Sequence, residues 1–410
     1  MEAIPSLVHA LLVLQKVSKA SMALVEVPSL MEQLSADSAR PILHGAGRAM
    51  AIGAAFEHSR QAVQAAESMV AMLGSLMSAS IIEWRVVGLQ ALRLTLPCLS
   101  HTRDADVICL QHVVSAIVTG LNDYTITERG DVGSLVRLQA INLIDDMWQQ
   151  KTLKKDGSDE QLIIANLMRL SLEKLDRVRL HAALCLQTRY APGAAPLFDV
   201  SSHAYFREKL SVLKLGGSLM WQLKATIKGC ISTGGSGNES LLQPVRAAVS
   251  EALCSASSDA VTNFMNILTS ILKEQLAESA DTQPALEFLA YILHDLPMQT
   301  LVDQAFNWRN LLAYVQKTHY KSSVVPKILA AVDTYRGLAY VTVVRDEVVR
   351  KLLSMLKTNP YASVRIAVAE CLWCITAAEI LKPVDWSRSP KELLQTVSKF
   401  QDVLISKTSS

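Results

Sequence analysis

The feature that most narrows what this chain can fold into is a short pattern, V-R-x-x-A-x-x-x-L with one or two changes, that returns along its length. Its fullest setting is Asp123 to Ala140, DYTITERGDVGSLVRLQA, where a turn opens directly into an amphipathic helix. Asp131 is placed to cap that helix, because a short side-chain oxygen accepts from the first free backbone N–H groups. Gly130 and Gly133 permit the tight turn around it. Val136, Ala140 and Ile144 recur at every fourth residue and give the helix one apolar face. Arg137 stands beside the first apolar position, so it is expected to reach sideways to a neighbouring repeat and not into the core.

Clear copies are Val178-Arg179-Leu180-His181-Ala182 with Leu186, Val245-Arg246-Ala247-Ala248-Val249 with Leu253, and Val364-Arg365-Ile366-Ala367-Val368 with Leu372. Trp84-Arg85 followed by Gly88 and Leu92 is a looser one. The steps from Arg85 to Arg137 and from Arg137 to Arg179 are 52 and 42 residues, close to the roughly 40–47 of a HEAT or armadillo unit. The next step, 67 residues to Arg246, fits one repeat plus a Pro/Gly/Ser-rich insertion around residues 191–202. The last, 119 residues to Arg365, leaves room for two degenerate repeats of unfixed register. The Val, Ala and Leu positions predict the inner stripe of the second helix of each pair, the small residue allowing close helix approach. For Arg85, Arg137, Arg179, Arg246 and Arg365 the expectation is a ladder to an acidic residue of the neighbouring repeat, ahead of a partner contact.

Composition agrees with helices. The 410 residues are 50% hydrophobic and only 5% aromatic, poor in the aromatic and β-branched runs that mark sheets. The expected fold is all-α, an α-solenoid of HEAT/armadillo-like repeats forming a single domain over residues 1–410. About nine helical pairs fit that length, with loop insertions near 190–206 and 232–240 and a terminal cap at 391–404 that closes the open end of the array. The net charge of +2, from 40 basic and 38 acidic residues without long runs, gives no sign of nucleic-acid binding. Seven cysteines are an odd number, and the acidic start of the chain does not read as a secretory leader, so a reducing cytoplasmic setting is expected. No apolar run approaches the ~18 residues of a membrane span.

Further elements follow in order. Pro5 to Val27 reads as a helix with its apolar face on Leu7, Leu11, Leu14 and Val17. Ser38 to Phe56 carries Gly45, Ala49 and Gly53 at a spacing of four, so that face should approach a neighbour tightly. Gln61–Ala79 and Ile82–Leu96 make a pair, the second helix ending before Pro97. Thr152 to Glu160 reads as a polar surface loop, Leu213 to Gly229 as helix and Ser232 to Ser240 as a flexible connector. Arg345–Leu356 and Ser363–Ala378 form the last clear pair.

Enzyme signatures are missing. There is no H-E-x-x-H among nine histidines and no G-x-x-x-x-G-K-[ST]. Gly234-Gly235-Ser236-Gly237 is followed by no lysine and preceded by no strand, and Gly216-Gly217-Ser218 lacks the closing glycine of a nucleophile elbow. Asp145 and Asp146 are adjacent, so on a helix they point about 100° apart and do not flank one substrate bond. Cys371 and Cys374 form a lone C-x-x-C within a helix, read as interior packing. No catalytic residue, metal site or cofactor is expected.

The stretch Asp123-Tyr124-Thr125, Arg129-Gly130-Asp131-Val132-Gly133 and Val136-Arg137 resembles the signature of the tubulin-folding cofactor D family, the tubulin-specific chaperone D. Glu173-Lys174-Leu175-Asp176-Arg177-Val178-Arg179 with His181-Ala182-Ala183 resembles the family's next repeat. Thr233–Ser240 with its following helix and Ser38–Phe56 are similar more loosely. Family members are considerably longer, so the chain resembles their C-terminal part. It departs at Leu135, where the family often has Trp.

The resemblance implies a non-enzymatic scaffold in the cytoplasm, associated with microtubules. It would bind β-tubulin and, with cofactors E and C and an Arf-like small GTPase, assemble or take apart the αβ-tubulin heterodimer, the complex stimulating GTP hydrolysis by tubulin. Asp123, Tyr124, Arg129 and Asp131 are then candidates for an exposed rim loop that touches tubulin or a fellow cofactor. The competing reading makes them caps that fix their own repeat. The alternative function is a HEAT-repeat adaptor for transport or phosphatase complexes.

Overall fold

Helices form where small and branched residues recur at helical spacing, and they dominate the chain. The computed structural model describes residues 3–18, 26–37, 45–59, 63–195, 197, 199–214, 219–235 and 239–406. The fold is all-α and built of HEAT-like helical repeats. Among the described residues the strands are two-residue pieces, β1 (Ile126–Thr127) and β2 (Gly130–Asp131), paired antiparallel as Ile126 with Asp131 and Thr127 with Gly130. The chain gathers into two compact units, residues 1–171 with 175–197, and residues 172–174 with 198–410.

The first unit holds α1 (Ala3–Ser18), α2 (Val27–Asp37), α3 (Gly45–Ser59), α4 (Val63–Ser75), α5 (Ile82–Arg93), α6 (Asp104–Leu121), α7 (Gly133–Gln149), α8 (Ser158–Leu170) and α9 (Asp176–Tyr190). They stack in two layers. Helices α1, α3, α5, α7 and α9 touch in succession, α4, α6 and α8 do the same, and each successive pair forms a hairpin. The anticipated small-residue face of α3 explains how closely the first layer is stacked. A Cβ added at Gly45 would overlap the Trp84 indole of α5, and one at Gly53 would overlap the Ala91 carbonyl.

Several expectations need correction. Helix α1 turns Val8 and Leu12 inward while Leu7 is 60% exposed, because the side of α1 that meets α3 lies one residue along from the expected stripe. Residues 38–44 of the expected Ser38–Phe56 helix lie outside the described residues. Pro97 does not end α5, which stops at Arg93; it sits inside a following single turn of 3₁₀ helix, Leu96–Cys98. The Thr152–Glu160 loop is anchored at both ends by buried groups. Thr152 donates to the Met147 carbonyl and Glu160 accepts from Arg189 at 2.7 Å.

The second unit holds α10 (His203–Lys209), α11 (Met220–Gly234), α12 (Glu239–Cys254), α13 (Ser258–Ala277), α14 (Gln283–Asp295), α15 (Met298–Leu301), α16 (Trp308–Thr318), α17 (Val325–Leu338), α18 (Arg345–Thr358), α19 (Ala362–Thr376) and α20 (Pro390–Ser406). Helices α11, α14, α17 and α19 touch in succession, α13 lies against α16, and α18 lies against α19 and α20. The α11 helix starts later and runs further than its sequence suggests, so Thr233 and Gly234 of the expected connector are helical and buried. Residues 216–218 and 236–238 lie outside the described residues. Ser202, Ser257 and Asn307 cap α10, α13 and α16, each accepting from the backbone N–H three residues on.

All seven cysteines are free thiols. Of the C-x-x-C pair, Cys371 is buried and directed at the Val332 carbonyl of α17, whereas Cys374 is exposed. Burial pushes the Cys230 and Cys371 thiols up to about 12.

Two tests address this fold. Gly53→Ala drives a methyl group into the α5 backbone and should cost about 1–3 kcal/mol, as overpacking generally does. Gly47→Ala meets only ordinary contact with Ile4 and should stabilise by about 0.5–1 kcal/mol from helix propensity. Opposite shifts in melting temperature are expected. In the second unit, His319 bonds the Tyr335 hydroxyl at 2.6 Å, and burial, with help from Lys351, lowers its pKa to about 4. An unfolded histidine titrates near 6.5, so the unfolded state takes up this proton first as pH falls. Stability is therefore lost between about pH 6.5 and 4, by up to ~3 kcal/mol. Thermal melts should show a shallower pH dependence for His319→Gln across that window.

Candidate functional site

The helix pair α6/α7 is joined by the hairpin that the sequence singles out. Gly130 holds a φ of +93° beside the tight Glu128–Arg129 loop, a conformation that glycine adopts without a Cβ penalty. Gly133 must also lack a side chain, since a Cβ there would overlap the Asp123 carbonyl. Its N–H donates to the Thr125 carbonyl at 3.0 Å, tying the two ends of the loop together. Asp131 caps α7 as anticipated, accepting from the Ser134 N–H at 3.0 Å, while the Ser134 hydroxyl donates back to the Asp131 carbonyl at 2.6 Å.

Arg137 departs from expectation. Its side chain is 0% exposed and turns back into its own loop instead of reaching to a neighbouring repeat. It donates to the Asp123 carbonyl and, at 2.7 Å, to the Asp131 carboxylate. The Asp123 carbonyl lies two residues past the end of α6, where the chain has left the helix and offers it no helical partner. A cation at that end is favoured by the helix dipole as well.

The other motif arginines vary this theme, and among them only Arg85 makes the expected bond to an acid of a neighbouring repeat. Arg85 of α5 donates to the Asp123 carboxylate and the Thr125 hydroxyl, both at 2.8 Å, and to the Ala79 carbonyl at 2.7 Å. Arg179 is fully buried and pairs with Asp176 of its own first turn. Arg246 donates to the carbonyls of Gly234 and Gly235 at the end of α11, at 3.0 and 3.1 Å. Arg365 donates to the Asn359 carbonyl after α18 at 2.9 Å and to the carbonyls of Trp386 and Ser387. Beside them Val136, Val178, Val245 and Val364 are fully buried. A cross-repeat ion pair does join α5 to α7, but its base is Arg93, bonded to Asp146 at 2.5 Å.

The four candidate loop residues therefore divide. Asp123 is buried, 8% exposed. Burial alone would push its carboxyl up, but hydrogen bonds from Arg85 and Thr125 and the nearby guanidinium charge hold it below the usual carboxylate range. It and Asp131 fix the loop and do not present a surface. Tyr124 has a mixed role. Its ring lies between two guanidinium groups, Arg137 at 4.4 Å and Arg169 at 5.6 Å from the centroid, and its hydroxyl accepts from Arg169. One edge of it still faces solvent. Arg129 stands exposed at the tip.

Sequence reasoning missed Arg169 and Ile126 as members of this site, and noted Leu135 only as a departure from the family's Trp. Arg169 lies on α8, 45 residues beyond Tyr124, which is about one repeat length and so places it on the next helix of the same layer. It also donates to the Leu121 carbonyl and the Asn122 side chain, both at 2.9 Å. Ile126 is 76% exposed and Leu135 48% exposed. The signal for Ile126 was an apolar residue in a stretch too short to bury it, whereas Leu135 lies on an exposed side of α7. A shallow cleft of about 420 Å³ opens beside the hairpin, lined by Arg85, Asn122, Tyr124 and Thr125 among others.

The clamp predicts a pH signature. Asp123→Asn should cost about 1–3 kcal/mol at pH 7, the range for a hydrogen bond to a charged group. Because the folded carboxyl sits below its unfolded value of about 3.9, its contribution is complete above that pH. It is lost as pH falls through the folded value. The gap in stability between wild type and variant should therefore close below about pH 4 in denaturant titrations.

A model of the family described as tubulin folding cofactor D, C terminal, matches residues 161–327. The matched segment runs from α8 into the start of α17 and includes the Arg179 and Arg246 hairpins, while the Asp123–Arg137 hairpin precedes it. No curated protein matches the chain. Among solved structures, the crystal structure of an engineered protein is similar at 14% identity over 100% of each chain, with a TM-score of 0.29, too slight to bear on the fold. The segment from residue 161 to 327, less than half of the chain, is thus similar to the C-terminal part of tubulin folding cofactor D.

Proposed function

We propose that this chain is a non-enzymatic scaffold that binds β-tubulin. With cofactors E and C and an Arf-like small GTPase it takes part in assembly and disassembly of the αβ-tubulin heterodimer. GTP is hydrolysed by the client, and the assembled complex stimulates that step. The working compartment is the cytoplasm, with association to microtubules. The match of residues 161–327 to the cofactor D family model supports this reading, and stacked helical hairpins suit it physically, since they offer extended surfaces to a large partner. No helix among the described residues is long and apolar enough to cross a membrane.

Within the first unit, the observation that carries the contact hypothesis is the hairpin tip. Ile126 and Arg129 project from a loop whose base is held by Arg85, Arg137 and Arg169. An apolar side chain beside an arginine on a rigid base is the composition of an interface anchor, because little conformational entropy is lost on binding. The contact set is therefore Ile126, Arg129, Leu135 and the open edge of Tyr124, with Asp123 and Asp131 as its supports.

An Ile126→Asp, Arg129→Glu double variant should leave the melting temperature unchanged and reduce capture of soluble tubulin by about tenfold or more, the loss of one hot spot. Parallel binding assays against tubulin, cofactor E and the small GTPase identify the partner that meets the tip. Wild-type binding of all three by a folded variant would remove the hairpin from the interface.

A further inference from the structure

The α1–α3 contact brings together groups that neither the family nor the hairpin accounts for. His9 projects from α1, and Glu57 and His58 lie in the last turns of α3. One ligand atom from each of the three lies within 4.8 Å of the other two. The two imidazole rings sit 5.5 Å apart between centroids, at 49°. His9 and Glu57 are exposed and His58 is half-buried, so a cation has a path in and two of the ligands are free to rotate. No other such trio is found among the described residues.

We propose that His9, Glu57 and His58 form a binding site for a divalent first-row metal ion, zinc in particular, that staples α1 to α3. Two imidazole nitrogens and one carboxylate oxygen suit zinc and exclude the all-oxygen preference of calcium and magnesium. Zinc bonds to these atoms at about 2.0–2.2 Å, which sets donors in a tetrahedral site about 3.3–3.5 Å apart. Rotation of the exposed His9 and Glu57 side chains closes the remaining distance. Three protein ligands leave a fourth position for water. Because the ligands come from two helices, binding energy is shared with the docking of α1 against α3. The ordinary alternative for His58, a cation near a helix C-terminus, accounts for neither His9 nor Glu57.

The test uses the whole chain, stripped with a chelator and titrated with zinc chloride by calorimetry, alongside melting curves. One equivalent of zinc should bind and raise the melting temperature. His9→Ala and His58→Ala should each weaken binding by about tenfold or more and abolish the thermal shift, whereas His101→Ala, outside the trio, should change neither. Circular dichroism of the zinc-free variants checks that they fold. Absence of stoichiometric binding, or equal binding by wild type and the His9 and His58 variants, overturns the site.

Discussion

The contact on which the hairpins most depend is an arginine, buried or partly buried, on the second helix and bonded to carbonyls where the first helix ends. Arg137, Arg246 and Arg365 all do this, to Asp123, to Gly234 and Gly235, and to Asn359. A helix that stops inside a protein leaves carbonyls without partners, and burying them unbonded is costly. A guanidinium offers five donors in a fixed plane and keeps its charge. One side chain can therefore close the first helix and fix where the second begins, while the valine before it anchors the same turn in the core.

This explains both what was legible from residues alone and what was not. The V-R pattern located the second helices of five hairpins because the valine, the small residue and the leucine obey helical spacing, which a sequence displays directly. The Gly45, Ala49, Gly53 stripe was legible for the same reason, as an absence of side chains where α5 comes close. The direction of each arginine was not, because it depends on which carbonyls the preceding loop leaves open, and a loop carries no period. The inward side of α1 was misjudged by one residue, since Val8 and Leu12 make nearly as good a stripe as Leu7 and Leu11 until α3 is in place.

The loop between α6 and α7 shows how a support and a contact can share a few residues. Asp123 and Asp131 were grouped with Tyr124 and Arg129 because all are polar and close in sequence. Their surroundings separate them. The aspartates face arginines and are consumed in fixing the backbone, while Ile126 and Arg129 are lifted away from it by the short ladder of β1 and β2. Arg169 joins the group from one repeat further on. Its position follows from stacking, which converts a distance along the chain into a lateral neighbour.

The thiols of the second unit carry a consequence for redox chemistry. A thiolate is the reactive form of cysteine, and the interior withholds it at Cys230 and Cys371, whereas Cys254 and Cys374 meet solvent. The two halves of the C-x-x-C thus differ in access, with one sulfur engaged by the neighbouring helix. Mild oxidants or alkylating reagents will act on Cys254 and Cys374 while the interior thiols stay intact, which leaves the second unit with a pair of natural attachment points for spectroscopic labels.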